Sequence, residues 1–297
     1  MDILSNLDLA LGKRIRLYRL MYTYGLRNGT LNLLPIDHGL EHGPSDFFSN
    51  PMSIDPDYIL NLALKLGFSG IVMHIGLAEK YMKKYVGDVP LVLKLNGKTS
   101  IPEDDAPISP LTASVEDAVR LGADAVGYTL YVGTPNQKED IDQFRKVKRE
   151  ADRYGMPIIV WSYPRGKAIE EKGGKESLFA VDYAARVGCE LGADIIKINF
   201  PVIDESKMDL YPEPYNKLYL SPGECIKKVV KSAGNTLVLV SGGSKISDED
   251  LLKKVKLSME AGGSGIIFGR NLWQRPFDES KKINDRIIEI MKCYSRR

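Results

Sequence analysis

The sequence predicts an α/β protein of the (β/α)8 TIM-barrel class, a single domain behind a helical leader. Three observations carry this. About eight short runs rich in β-branched residues recur along the chain of 297 residues, separated by helical patterns, and eight is the count a closed barrel requires. The runs are apolar almost throughout, as parallel strands buried on both faces are. The helix-to-strand junctions also repeat: LGFSGI at Leu66, LGADAV at Leu121, LGADII at Leu191 and AGGSGI at Ala261. Each places a Gly where a helix C-cap needs a positive φ and then enters a strand. The competing architecture is an open doubly wound sheet; no GxGxxG follows the first strand, which argues against it.

In chain order, residues 1–28 read as the helical leader, expected to cover the barrel bottom or an oligomer interface, and residues 29–297 as the barrel. The expected strands are Leu31–Asp37, Gly70–His74, Pro90–Leu95, Asp124–Leu130, Pro157–Tyr163, Asp194–Phe200, Thr236–Ser241 and Gly265–Gly269. Amphipathic helical patterns occupy Ser114–Leu121, Lys138–Tyr154, Lys175–Leu191, Pro222–Ser232, Ser247–Ala261 and Asp278–Met291. The Pro-rich stretches Pro102–Pro110 and Met208–Pro222 are expected to be long loops on the functional rim.

Charge is nearly balanced, 41 basic against 39 acidic residues. This gives no global pull toward nucleic acid or membrane, so any anion binding must be local. No apolar run approaches the roughly 20 residues of a membrane span, and the start of the chain does not read as a signal peptide. Cys189, Cys225 and Cys293 are far apart and odd in number, which disfavours a disulfide framework or zinc site and fits a reducing cytoplasm.

Chemistry in such barrels sits at the C-terminal strand ends. Lys197, in Asp194-Ile-Ile-Lys-Ile-Asn-Phe, shares one strand face with Ile195 and Asn199. A lysine inside an apolar strand is costly when charged. Burial and nearby cations lower its pKa, and the neutral amine can form an imine with a ketone. Lys94, in Leu91-Val-Leu-Lys-Leu-Asn, has the same pattern and competes for this role. Alternatively it lines the pocket as a second cation that depresses the pKa of Lys197. Trp161 and Tyr163 share a face on the fifth strand; the phenol is a candidate acid/base and the indole a wall against water. Asp37 ends the first strand, where a carboxylate could orient substrate hydroxyls or stabilise an iminium. His38, Glu41 and His42 lie close by, but with only three histidines and no HxH or HExxH a catalytic metal is not expected. His74, ending the second strand, reads as a satisfied rim residue. Ser241-Gly242-Gly243 after strand seven, and Gly269-Arg270 after strand eight, form a phosphate-binding pattern in the two loops where barrels place one.

Together these motifs resemble the archaeal-type class I fructose-1,6-bisphosphate aldolases, in the wider family that contains deoxyribose-phosphate aldolase. The resemblance rests on PIDHGLEHGP at Pro35, LKLNGKT at Leu93, WSYPRGK at Trp161, IIKINF at Ile195, VSGGSK at Val240 and IIFGRNLWQR at Ile266. It implies that Lys197 forms the imine, Tyr163 is the acid/base and Asp37 the active-site carboxylate. Trp161 would line the pocket, and Ser241, Gly242, Gly243, Gly269 and Arg270 would hold the C1 phosphate of a sugar phosphate; His38 and Lys94 are expected at the substrate site from their own positions. Lys98, Arg165 and Lys245 are candidates for the second phosphate. The family uses no metal or organic cofactor and forms homo-oligomers, often decamers. A sister enzyme, 2-amino-3,7-dideoxy-D-threo-hept-6-ulosonate synthase, is the nearest alternative; a relative that performs thiolysis of a phosphorylated diketone is another. A non-aldolase phosphate-binding barrel would lack the imine lysine.

Overall fold

The apolar runs pair in sequence order, each parallel to the next, and the last returns to the first. The barrel is β1 (Leu31–Pro35), β2 (Gly70–His74), β3 (Leu91–Lys94), β4 (Ala125–Val132), β5 (Ile158–Pro164), β6 (Ile195–Ile198), β7 (Leu237–Ser241) and β8 (Gly265–Ile267). The computed structural model describes residues 3–296. Closure is made where β8 meets β1, in the register Leu31↔Gly265. Only glycine fits there: a Cβ on Gly265 would stand 2.0 Å from the Leu31 carbonyl oxygen, at φ 153°.

Helices follow the strands and lie outside them. In chain order they are α1 (Leu11–Tyr18), α2 (His38–His42), α3 (Pro56–Lys65), α4 (Ile75–Tyr81), α5 (Val115–Arg120), α6 (Gln137–Tyr154), α7 (Lys167–Glu170), α8 (Leu178–Glu190), α9 (Pro222–Ser232), α10 (Asp248–Glu260), α11 (Arg270–Trp273) and α12 (Phe277–Lys292). Ser114 and Ser221 start α5 and α9 with complete capping boxes, which satisfy backbone donors the first turn leaves open. The repeated junction glycines take the conformation their spacing predicts: Gly67, Gly122, Gly192 and Gly262 all have φ between 66° and 93°.

Period-2 alternation divides the side chains into two cores. Leu33, Val72, Val92, Ile159, Ile195 and Leu239 point into the barrel, while Leu34, Ile71, Leu93, Val160, Ile196 and Val240 pack outward against the helices. The leader seals the interior from below. Leu4, Leu17, Leu20 and Met21 are fully buried with the inward-facing strand residues. Lys13 is tied to Asp194 at 2.9 Å and Asp152 at 2.9 Å, and Arg19 to Asp124 at 2.7 Å, so two leader cations meet carboxylates at the N-terminal ends of β6 and β4.

Two expectations need correction. Strands β1, β3, β6 and β8 were drawn too long at their C-terminal ends, while β4 and β5 run on to Val132 and Pro164: Asp37 is the N-cap of α2 rather than the last residue of β1, and Asn199 and Gly269 lie just past β6 and β8. The chain turns early there to form the pocket walls. The stretch Met208–Pro222 does not reach the pocket. It folds back on α8, where Tyr215 donates to Asp182 at 2.5 Å and packs edge-on against Phe179.

Candidate active site

A cavity of about 450 Å³ opens at the C-terminal mouth of the barrel. Its floor is Lys197, carried inward by the alternation of β6 and 6% exposed. The Lys197 amine stands 4.8 Å from the centre of the Trp161 ring and 5.6 Å from that of Tyr163. The register Trp161↔Lys197 between β5 and β6 sets this proximity. Burial is the largest influence on the amine and lowers its pKa to about 8; Asp37 and Glu41 oppose the shift, and Lys94 and Arg270 reinforce it. At that value roughly a tenth of the amine is neutral at pH 7, against about 0.03% at the ordinary 10.5, a gain of about 300-fold.

Lys94 is the opposite case. It is fully buried on β3, and burial alone would lower its pKa, but Glu41 at 2.7 Å and Asp37 at 3.3 Å outweigh that and raise it. Lys94 is therefore a permanent cation, and a charged amine cannot attack a ketone. It does not line the cavity, contrary to one of the sequence expectations. Instead it lies beneath the surface, 4.7 Å from the Trp161 ring centre. Trp161 is likewise below the floor, 1% exposed. Both amines thus lie against one indole, one with a lowered pKa and the other a fixed ammonium. Gly127 makes room for both: a Cβ there would stand 2.7 Å from the Trp161 ring and 3.0 Å from the Lys94 stem.

Asp37 is buried. Burial would raise its pKa, but Lys94, His38, Lys197 and His74 together hold it well below the usual carboxylate range, so it remains an anion. Tyr163 lines the cavity beneath the Arg165 guanidinium, 5.1 Å above its ring; burial, with Glu41, pushes its phenol above the ordinary value, so it stays protonated. His38 lines the cavity 3.5 Å from Asp37, and burial lowers its pKa to about 4, leaving a neutral ring. His74 lies beside Lys94 and not on the cavity wall.

The cavity has two cationic ends. At one, Ser241, Gly242, Gly243 and Ser244 meet Gly269 and Arg270. Asn271, which the sequence reading did not single out, pins this loop: its amide donates to the carbonyls of Gly242 at 3.2 Å and Ser244 at 3.1 Å and accepts from the Ile246 N–H at 3.0 Å. At the other end stand Lys98, Arg165 and Lys175. Lys245 is excluded from either end, because its amine donates to the Gln274 carbonyl at 3.4 Å, outside the cavity. Lys175 also went unrecognised as a cavity residue in the sequence, since no local pattern distinguishes it from a loop charge, and Glu41, noted there only beside the histidines, lines the cavity as well. Glu41 accepts from Lys94 at 2.7 Å, and His42 Nδ1 stands 2.6 Å from the Asp46 carboxylate.

Fold and cavity together describe a barrel with a buried low-pKa amine, open to small polyanionic molecules. A model of the DeoC/LacD family aldolases matches residues 31–275, and the chain belongs to that family. It is 44% identical over 250 residues to the class 1 fructose-bisphosphate aldolase of Thermoproteus tenax, covering 84% of this chain and 85% of that relative. The corresponding protein of Halobacterium salinarum is 37% identical over 249 residues, 84% of this chain and 86% of the relative. Among solved structures, an archaeal fructose-1,6-bisphosphate aldolase, with its catalytic lysine bound covalently to the carbinolamine intermediate of the substrate, superimposes with a TM-score of 0.77. That structure is 41% identical over 92% of this chain and 98% of its own.

Proposed function

We infer that this chain is a class I, Schiff-base lyase that reversibly cleaves fructose 1,6-bisphosphate to dihydroxyacetone phosphate and glyceraldehyde 3-phosphate. The observation that carries the reading is Lys197, a buried amine of pKa about 8 in one cavity with Arg270 and the Lys98, Arg165 and Lys175 group. A ketose with a phosphate at each end suits that arrangement better than a monophosphate does.

Lys197 attacks the C2 ketone as the neutral amine and forms the iminium, which withdraws electrons from C3. Asp37, an anion throughout, is the counter-ion that favours the iminium. The C4 hydroxyl gives its proton to solvent water, the C3–C4 bond breaks with its electron pair passing to the iminium to form the enamine, and glyceraldehyde 3-phosphate leaves. Tyr163, held protonated, delivers a proton to C3 of the enamine. Hydrolysis then frees dihydroxyacetone phosphate and Lys197. The Ser241–Ser244 backbone, Gly269 and Arg270 hold the C1 phosphate; Lys98, Arg165 and Lys175 hold the C6 phosphate. Lys94 keeps a fixed positive charge near Lys197, favouring its neutral form.

Leu11, Ile15 and Tyr18 recur along one face of α1 and are 73%, 52% and 47% exposed. This apolar stripe supports a homo-oligomer, a decamer in our reading. The three free cysteines support a reducing, cytoplasmic setting. No helix among the described residues is long and apolar enough to cross a membrane.

Reduction with sodium borohydride in the presence of dihydroxyacetone phosphate, followed by peptide mass spectrometry, tests the mechanism. An adduct on Lys197 is expected. An adduct on Lys94 would move the imine, and no adduct on folded protein would remove the imine mechanism altogether.

A further inference from the structure

One group in the cavity has the wrong charge for its position. Asp46, in the turn Pro44–Phe47, lines the same end as Arg270. A carboxylate there repels the anion that Arg270 attracts. Its Oδ1 is 3.7 Å from Arg270 Nη1, beyond hydrogen-bond reach, while its Oδ2 is 2.6 Å from His42 Nδ1. Arg270 Nε is buried and has no hydrogen-bond partner among the described residues. The guanidinium is thus held by charge while donor capacity remains available.

The backbone of Asp46 cannot retreat. Gln274 donates to its carbonyl at 2.6 Å, and the Asn50 amide ties the same loop to the carbonyls of Trp273 at 2.9 Å and Arg275 at 2.8 Å. The motion left to it is rotation of the carboxylate toward His42, already its partner.

We propose that Asp46 is the displaceable counter-ion of Arg270: it pairs with the guanidinium in the absence of phosphate, gives way when phosphate binds, and so holds phosphate affinity below what the site would otherwise reach. The inference rests on the phosphate assignment made under the proposed function. Its consequence falls on release. A triose-phosphate product must leave this seat in every turnover, and a resident competing charge raises its off-rate. The far end repeats the arrangement, with Asp104 at 2.7 Å from Lys98 and 3.4 Å from Arg165. Asp104, however, is 48% exposed against 17% for Asp46, so solvent screens it more strongly and the effect concentrates at Asp46.

The test is calorimetric titration with inorganic phosphate of the wild-type protein, Asp46→Asn, Asp46→Ser and Arg270→Ala, each shown folded by circular dichroism. Removing one charge beside a bound dianion in a partly screened site is expected to tighten binding by roughly three- to thirty-fold. Asn keeps the size of Asp46 and can still bond His42; Ser does neither, so tightening in both variants assigns the effect to the charge. Phosphate binding unchanged or weakened in both, with Arg270→Ala clearly weaker than wild type, would overturn the proposal and leave Asp46 as a group that merely aims Arg270. Arg270→Ala binding as wild type would remove the phosphate assignment itself, and the proposal with it.

Discussion

Lys94→Met isolates the electrostatic contribution that sets the charge of Lys197. In the wild-type protein the two amines lie against the Trp161 ring, 4.7 Å and 4.8 Å from its centre, and Lys94 offsets two carboxylates, Asp37 and Glu41. Methionine fills a similar volume without charge. Its introduction removes a cation that lowers the Lys197 pKa and uncovers two anions that raise it, so both changes act in one direction. A unit charge roughly 5 to 10 Å away, at an effective dielectric of about 20 to 40, is equivalent to roughly half to two pKa units, and the two uncovered anions add in the same direction. The Lys197 pKa should therefore rise from about 8 to roughly 9–10, and the neutral fraction at pH 7 should fall about ten- to hundred-fold. The assay is the initial rate of borohydride trapping with dihydroxyacetone phosphate, measured against pH. The neutral amine is the reactive form, so the wild-type rate should climb tenfold per pH unit and level off above pH 8, while the variant's rise should be displaced upward. Lys94→Met/Glu41→Gln should move it part of the way back, because one uncovered anion is gone. An unshifted profile in the folded single variant, or a double variant shifted further upward, would refute the electrostatic argument. The single variant should also lose about 3–5 kcal/mol of stability, because a buried carboxylate loses its partner.

Tyr163→Phe should lower kcat for fructose 1,6-bisphosphate cleavage by about 10²- to 10⁴-fold while leaving trapping at Lys197 intact, since the phenol acts after the imine forms; a parallel loss of trapping would assign it an earlier role. Asn271→Ala frees the loop after β7 from three hydrogen bonds. It should raise KM about tenfold with a smaller effect on kcat, a split that steady-state kinetics at several substrate concentrations resolves. Lys13→Met strands Asp194, whose side chain is 8% exposed, and should cost about 3–5 kcal/mol in chemical denaturation. Because Lys13 lies at the opposite end of the barrel from the cavity, kcat at 25 °C should hardly change.

The barrel was legible along the chain because its signals are local. Apolar β-branched runs form strands, and the junction glycines must adopt left-handed φ wherever a helix turns into a strand; both depend only on near neighbours. The same locality marked Lys197, since an amine inside an apolar strand is anomalous in any fold, and marked the Ser241-Gly-Gly and Gly269-Arg270 loops. Strand ends were the weakest point. Asp37 leaves β1 early because the chain there turns into α2, and the turn is set by packing against the loop after β8: a Cβ on Gly269 would meet the His38 ring at 2.6 Å.

Which lysine holds its proton less tightly was decided by tertiary structure alone. Lys94 and Lys197 sit in nearly identical sequence patterns, -Leu-Lys-Leu-Asn- and -Ile-Lys-Ile-Asn-, and a strand has no local term to separate them. The difference is made by Glu41, 53 residues before Lys94 in the chain. The β1 loop carries it over the mouth to within 2.7 Å of Lys94 Nζ, whereas among the described residues Lys197 donates to no carboxylate and faces the cavity. Asn271, Lys175 and Asp46 were invisible for the same reason, because their work lies in contacts across loops that meet only when the barrel closes. The sequence by itself determined that a buried amine would stand at a strand end of a barrel; the closed fold decided which one gives up its proton more readily, since proton affinity depends on charges distant along the chain and adjacent in space.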